Sequence, residues 1–366
     1  MEPLLSILRE VRDPRDFNAR HDLSAMLFIA LAASLCGAKT CVDYADFAEA
    51  NEADLAEIID LPHGAPSHDS FSRLFRLLDP GEMVGVLSRF AAALRAGLGL
   101  GAPSGVIAVD GKSLKRGYER GRAFMPPLMV SVWDAETRVS IAACRAPGGN
   151  EVAGTLAVLK TLTLKGAIVT ADALHCHPAM AKAVQAAGAD YALGLKGNHG
   201  PLHRAAVAAF AEADDKAFLP FFETTERGHD REEWRCASVL PRPKDAPNFP
   251  GLAAIGRIEA ERRCNGKVQT ATRYIALSQK LSPERLLAVV RAHWSIENDL
   301  HWQLDVSFHE DSSRTRKDNA PQNIAVIRRM ALDILKVHPE NRSIARKMKL
   351  AAWKKEFFYD LFAHMR

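Results

Sequence analysis

Val106-Ile107-Ala108-Val109-Asp110-Gly111-Lys112 is a short apolar run, rich in β-branched residues, that stops on a carboxylate and turns at a glycine. The pattern predicts a fully buried strand that delivers one acid to the edge of a sheet. A carboxylate in that position is costly to hold unless a metal ion or a Lys/Arg meets it. The same pattern recurs in Ala167-Ile168-Val169-Thr170-Ala171-Asp172. Two such strands running parallel end side by side, and open α/β sheets place their sites at such strand ends. Asp110 and Asp172 are therefore expected together.

A third acid has to come from elsewhere, and Glu297 is the candidate. Leu286, Val289, Val290, His293, Trp294, Ile296, Leu300 and Leu304 recur at helical spacing around it. That spacing predicts a helix with Glu297 at the rim of the buried stripe, facing the sheet. Trp294 and Trp302 read as core anchors of the same helix rather than base-stacking groups. Asp305 and Glu310 lie where the helical pattern fades into Val306-Ser307-Phe308. Asp305 is a candidate to support the metal ligands from outside.

The 366 residues, 48% hydrophobic and 25% charged, describe a globular chain long enough for two or three domains and exclude a disordered one. Met1-Glu2-Pro3 opens no basic, signal-like segment. The longest apolar run, Leu23 to Ala38, is short and alanine-rich and reads as a buried helix rather than a membrane span. Six cysteines without a Cys-x-x-Cys pair suit a reducing cytoplasm. Adjacent His175, Cys176 and His177 cannot close a tetrahedral zinc site alone.

The net charge of +4 is unevenly spread. Between Arg314 and Lys355 stand 12 Lys/Arg and 3 acids, a balance of +9 that leaves the rest of the chain at −5. Such a basic region is an electrostatic footprint for a polyanion, or else a solvated helix face.

Residues 1–98 read as an all-helical N-terminal domain. Within it, Ser67 is placed as an N-cap and Pro80 as a stop around a short helix bearing Arg73 and Arg76, which is either a DNA-reading helix or a simple packing element. The glycine-rich stretch Gly97 to Gly105 is a linker. Residues 106–217 give the order β-β-β-α-β-α-β, that of a ribonuclease H-like α/β catalytic core. This core resumes over 279–335 after a β-rich insertion at 218–278, and 336–366 form a basic C-terminal tail.

Several motifs together resemble a family. Val109-Asp110-Gly111-Lys112-Ser113-Leu114-Lys115, Gly149-Asn150-Glu151, Leu164 to Ala173, Leu195-Lys196-Gly197-Asn198, His293-Trp294-Ser295-Ile296-Glu297-Asn298, and Asp305 to Arg316 followed by Asn319-Ala320-Pro321 are similar to DDE transposases of bacterial insertion sequences, in the H-repeat-associated branch. Pro66 to Phe71, with Arg73, Phe75 and Asp79-Pro80, resembles the associated N-terminal domain, so the likeness covers nearly the whole chain. The resemblance implies a metal-dependent enzyme that binds terminal inverted repeats and cuts and rejoins double-stranded DNA, as a homodimer assembled on terminal-repeat and target DNA in the bacterial cytoplasm, with no membrane. It implies that Asp110, Asp172 and Glu297 hold two Mg²⁺ or Mn²⁺ ions, since hard carboxylate oxygens suit them. Lys112, Lys115, Arg116, Lys196, Arg73, Arg76, Arg314, Arg316 and Lys317 are the candidate DNA contacts. One departure is visible: the Tyr, Arg and Lys that accompany the Glu in hairpin-forming DDE enzymes are Val290, His293 and Leu304 here. His175 and His177 also stand where smaller or amide residues are expected.

Two other functions fit the same features: a metal-dependent nuclease without strand transfer, and a catalytically silent DNA-binding remnant. The intact acids disfavour the remnant. The helical N-terminal region and basic C-terminus favour transposition over a stand-alone nuclease.

Overall fold

A computed structural model describes residues 1–118, 121, 125–216, 219–228 and 231–365. The boundary expected at 217/218 lies outside the described residues. The chain opens on helices α1 (Glu2–Arg9), α2 (Leu23–Leu35), α3 (Cys41–Ala50), α4 (Glu52–Ala56), α5 (His68–Leu77) and α6 (Pro80–Gly97). There follow β1 (Val106–Ser113), β2 (Leu128–Asp134), β3 (Val139–Arg145), α7 (Glu151–Leu159), β4 (Ile168–Ala171), α8 (Pro178–Ala186), β5 (Asp190–Leu195) and α9 (Gly200–Asp215). Strands β6 (Phe221–Gly228), β7 (Arg231–Pro241), β8 (Ala254–Cys264) and β9 (Lys267–Leu277) come next. Helices α10 (Pro283–His293), α11 (Trp302–Val306), α12 (Ala320–Val337), α13 (Ile344–Trp353) and α14 (Lys355–Asp360) finish the chain, with a π-helical turn, Ile296–His301, between α10 and α11. The protein is an α/β fold with a mixed sheet: among the described residues nine strands run in the order β3-β2-β1-β4-β5-β9-β8-β7-β6.

The chain divides into two compact units that are not consecutive stretches. One comprises Met1–Ala102, Gly111–Gly154 and Ile296–Arg366; the other comprises Pro103–Asp110 and Thr155–Ser295. In the first, every residue of α2 is buried, as a sequence apolar but for Ser24 and Ser34 dictates. Helix α12 is buried from Ala320 to Leu335 and packs against α2, α5, α6 and β3. Its burial carries charges inward. Arg329 is fully buried, and donates from Nε to Ser131 Oγ at 3.2 Å and from Nη1 to Glu310 Oε1 at 3.4 Å. Asp333 accepts the backbone N–H of Ser140, and burial pushes its carboxyl well above the usual range. Arg95 of α6 pairs with Asp134 at the end of β2, where that carboxylate also takes the N–H groups of Glu136 and Thr137 and so shapes the β2–β3 turn.

The second unit is built on β1, β4 and β5, which run parallel and in step. Strand β9 adds antiparallel to β5, and β8, β7 and β6 continue as an antiparallel meander. Strand β6 had no clear signal in the sequence: its residues are intermediate or exposed throughout, so no apolar stripe marks it. Ion pairs brace this region: along β7 Glu233 meets Arg231 at 3.1 Å and pairs with Arg235, and across to β8 it meets Arg262 at 3.8 Å.

The basic count from Arg314 to Lys355 overstates the surface charge. Arg328, Arg329 and Lys347 are buried, Lys347 donating to the carbonyls of Leu335 and His338 at 2.8 Å. Ile344, Met348 and Ala351 of α13 are buried, as are Leu361, Phe362 and Met365 after α14.

Glu310 and Arg329 are both buried, and without Arg329 the carboxylate keeps only the longer contact to Arg328, at 3.9 Å. Arg329→Met is expected to destabilise the protein by about 3–5 kcal/mol. Adding Glu310→Gln should recover much of that loss. Denaturant unfolding of the single and double variants checks both; an unchanged midpoint for Arg329→Met contradicts the account.

Candidate active site

Strands β1 and β4 pair Val106 with Ile168, Ile107 with Val169 and Ala108 with Thr170, a constant offset of 62 residues. Carried two residues past the last paired position, that offset would set Asp110 beside Asp172, the residue that follows β4. Residues level with each other in a parallel pair share a face of the sheet, so a register kept to that point would put the two acids on one face. Strands β4 and β5 keep an offset of 22, from Ile168 with Asp190 to Ala171 with Leu193. Its continuation sets Gly194 beside Asp172. A Cβ at Gly194 would come to 3.1 Å of Ala173 N and 3.3 Å of Asp172 C, so the turn after β4 packs on bare backbone.

That turn fixes the second acid. Asp172 caps the short 3₁₀ turn Ala173–His175, its Oδ1 accepting the N–H of Leu174 at 2.9 Å. The same oxygen lies 3.0 Å from His175 Nδ1. His175 is fully buried, and its Nε2 lies 2.9 Å from Thr155 Oγ1. With the threonine hydroxyl donating to Nε2, Nδ1 carries the proton that reaches Asp172. The His175 hydrogen bond is the main cause that holds the Asp172 carboxyl below its ordinary range, against the opposing effect of burial. Both of these donors use Oδ1. Hard oxygens from Asp110 and Asp172, so placed, would fit a divalent metal such as Mg²⁺. Nearby, His293 Nδ1 is 3.1 Å from Thr170 Oγ1. Burial pushes the His293 pKa down to about 4, outweighing the pull of the Asp172 charge. At neutral pH it is uncharged.

His175 and His177 are otherwise engaged than in zinc binding: His177 caps α8, its Nδ1 accepting from Met180 N at 3.2 Å. Among the described residues no three His, Cys, Asp or Glu side chains gather as a metal-binding group.

Glu297 belongs to the other compact unit, and its surroundings correct the expectation of a buried-rim position. The helix is not continuous through it. Helix α10 stops at His293, and a π turn carries Ile296–His301. Ile296, Leu300 and Leu304 keep the buried stripe, whereas Glu297 and Asn298 are exposed. Trp294 and Trp302, expected as core anchors, are 42% and 54% exposed. Trp294 is instead covered by the Arg273 guanidinium, 5.0 Å from its ring.

The lysines after Asp110 have partners of their own. Lys112, only 7% exposed, places Nζ 2.7 Å from Asp305 and 2.9 Å from Asp311. Lys115 Nζ lies 2.5 Å from the other oxygen of Asp311. Burial pushes the Asp305 carboxyl up despite Lys112, while for Asp311 burial is outweighed by Lys115 and Lys112, which hold it low. Asp305 thus serves Lys112. Glu310, the other acid of this segment, is buried on Arg329. Arg116 is exposed and lends its carbonyl to Arg316 Nε at 3.0 Å. Lys196 is exposed at the end of β5. Arg73 meets Asp16 at 3.6 Å, and Arg76 meets Asp318 at 2.7 Å. Arg76, Arg314, Arg316 and Lys317 line one cleft.

Sequence reasoning missed Asp311, His175 as the partner of Asp172, and Glu151. The Glu151 side chain lies so close to Gly111 that a Cβ there would come to 2.5 Å of its carboxyl carbon. No periodicity could have paired residues so far apart in the chain. The Gly149-Asn150-Glu151 motif was the available signal for Glu151.

Residues 101–334 match the family described as Transposase DDE domain, and residues 5–91 match its associated N-terminal family, DDE_Tnp_1-associated. The chain is 27% identical to the "H repeat-associated putative transposase YhhI" of Escherichia coli (strain K12), over 98% of this chain and 96% of that protein. It is 33% identical to a protein encoded in the dhlA 3' region of Xanthobacter autotrophicus, over 75% of this chain and 93% of the relative. Superposition on piggyBac transposase, in a synaptic complex with hairpin DNA, gives a TM-score of 0.46 at 12% identity, over all of this chain and 77% of that one. The match to the DDE domain spans more than half of the chain and runs through Asp110, Asp172 and Glu297: the protein belongs to the DDE transposases of insertion sequences.

Proposed function

We propose that this transposase binds the terminal inverted repeats of its element and catalyses metal-dependent strand cleavage and strand transfer, with Asp110, Asp172 and Glu297 as the carboxylates that hold Mg²⁺ or Mn²⁺. The observation that supports the reading is the constant offset of 62 residues between β1 and β4, which, continued two residues on, would bring Asp110 level with Asp172. Two carboxylates held side by side repel each other unless a cation joins them. The order β1-β2-β3-α7-β4-α8-β5, with β1 between β2 and β4, supports a ribonuclease H-like core. Among the described residues no helix is long and apolar enough to cross a membrane. We place the enzyme in the bacterial cytoplasm, on the nucleoid when bound, and as a homodimer once assembled on DNA.

Bound divalent cations supply charge stabilisation for the attacking and leaving oxygens of a phosphodiester. The chain's own residues do the positioning. Leu174 N–H and His175 Nδ1–H hold Asp172 through one oxygen, and Thr155 fixes the His175 ring. Gly194 admits the turn that carries them.

Duplexes carrying the inverted repeats that flank the gene should be cut with Mg²⁺ or Mn²⁺ and left intact with EDTA. Asp110→Asn, Asp172→Asn and Glu297→Gln should each slow cleavage roughly a thousandfold or more, a loss of several kcal/mol of transition-state stabilisation, while DNA binding persists. Asp305→Asn should lose less, on the order of ten- to a hundredfold. A dead Asp305→Asn beside an active Glu297→Gln moves the third acid to Asp305. Cleavage that ignores EDTA removes the metal reading altogether.

His175→Ala should weaken Mn²⁺ binding, followed by electron paramagnetic resonance, about 10–100-fold, because Asp172 loses the donor that orients it. His175→Asn or Gln, which retains an N–H donor, should recover part of the loss. Equal affinity in wild type and His175→Ala contradicts the positioning role.

A further inference from the structure

One side of α5 and the segment 314–317 line a cleft of about 570 Å³. Four cations, Arg76, Arg314, Arg316 and Lys317, stand on its walls against a single acid, Asp69. Arg314 and Lys317 are exposed, and neither has an ion-pair partner among the described residues. The two other guanidinium groups are held from behind. Arg76 is anchored through Nε to Asp318 at 2.7 Å, and Arg316 through Nε to the Arg116 carbonyl at 3.0 Å. Their Nη nitrogens take no partner among the described residues. A guanidinium fixed by Nε with its fork uncommitted is set to bind a phosphate by two parallel hydrogen bonds.

The walls are also locked together. Asn319 Nδ2 donates to the Leu78 carbonyl at 3.1 Å, and Asn323 Nδ2 donates to those of Phe75 and Leu78 at 2.9 and 3.0 Å. These asparagines satisfy carbonyls that the end of α5 leaves unpaired. Helix α5 and the 314–323 segment therefore hold the anchored guanidinium groups of Arg76 and Arg316 at fixed spacing, without the ordering cost of free side chains.

We infer that this cleft grips the phosphodiester backbone of DNA, with helix α5 as one wall. The inference rests on the transposase reading above and names the surface that reading leaves open. It also assigns α5 a different task from base reading. Phe71, Leu74 and Phe75 of α5 are buried in the core, and Arg73 is paired with Asp16. Gripping phosphates is sequence-independent and salt-dependent, whereas base reading is neither.

The test uses full-length protein and two labelled duplexes, one of arbitrary sequence and one taken from the repeats flanking the gene, with affinity followed by fluorescence anisotropy across a salt series. Arg314→Ala with Lys317→Ala should lower the slope of log affinity against log salt by about 2, since each lost phosphate contact removes about 0.9. Affinity should fall on the order of tenfold or more on both duplexes at low salt. Arg314→Lys with Lys317→Arg should keep the slope. Both residues are exposed, so the thermal midpoint should not move. An unchanged slope overturns the grip while leaving the transposase reading intact. A loss confined to the repeat duplex overturns it in favour of base reading. Retained DNA affinity with lost binding of polyglutamate overturns it in favour of an acidic protein partner. If the wild-type protein binds neither duplex, the transposase reading itself falls.

Discussion

Ala108, Thr170 and Ala192 stand level across three parallel strands, and the proposed placement of Asp110 beside Asp172 depends on that row. The offsets of 62 and 22 residues are set by the apolar strands upstream, Val106 to Val109, Ile168 to Ala171 and Tyr191 to Leu193, which are buried on both faces and tolerate no slip. Continued past the strand ends, the same register is the ground for placing Asp110 next to Asp172 in the proposed site. Gly194 lets the turn at Asp172 come down on the β5 backbone. That approach brings Leu174 N–H and His175 to one carboxylate oxygen. The buried strands set the register, and the register dictates which residues can share a metal.

A second constraint governs the first unit: the interior of α12 takes its charges from the count that reads as a basic surface. Arg328 and Arg329 meet Glu310, and Lys336 meets Asp299 at 3.6 Å. Each of these cations fixes a neighbouring segment instead of facing a polyanion. Lys112 and Lys115 do the same for Asp305 and Asp311, so the lysines that follow Asp110 brace the segment after the π turn. Arg314 and Lys317, like Lys349 and Lys354, are exposed without an ion-pair partner among the described residues, but of these four only Arg314 and Lys317 line the cleft beside α5, which is why that cleft carries the electrostatic argument.

The strands that end on Asp were legible in the sequence because a buried β run needs only local composition, and an acid at its end is an anomaly that periodicity exposes. The parallel pairing of β1 with β4 followed from the same reasoning. Glu297 was less legible. A stripe at 3.6-residue spacing allows either Ile296 or Glu297 on the buried side, and the π turn assigns it to Ile296, Leu300 and Leu304. Trp294 and Trp302 were misjudged on bulk alone, since an indole can be covered by an arginine at the surface as well as by a core. The His175–Thr155 hydrogen bond and the Lys112 pairs join residues from distant parts of the chain, where local pattern has no bearing. The burial of α12 on nearly every side, charges included, likewise depends on what α2, α5, α6 and β3 bring to it.

The segment between the π turn and α12 is shaped at both ends by residues in a backbone region that L side chains rarely adopt. His309 has φ +54° and Asp318 φ +52°, and neither is a glycine. Such conformations cost about 1–3 kcal/mol each and persist only where the surroundings over-determine them. Here they are over-determined. Beyond His309, Glu310 is drawn into the core by Arg329, and Asp311 is drawn to two lysines. Before α12, Asp318 is held by Arg76 and the next residue caps α5. Arg314, Arg316 and Lys317 lie between these two fixed points, so their placement follows from anchors on either side and not from any preference of the segment itself. A loop clamped at both ends, with cations left at its middle, is expensive to maintain for packing alone. The interactions that hold it give the strain a purpose if an anion occupies the cleft.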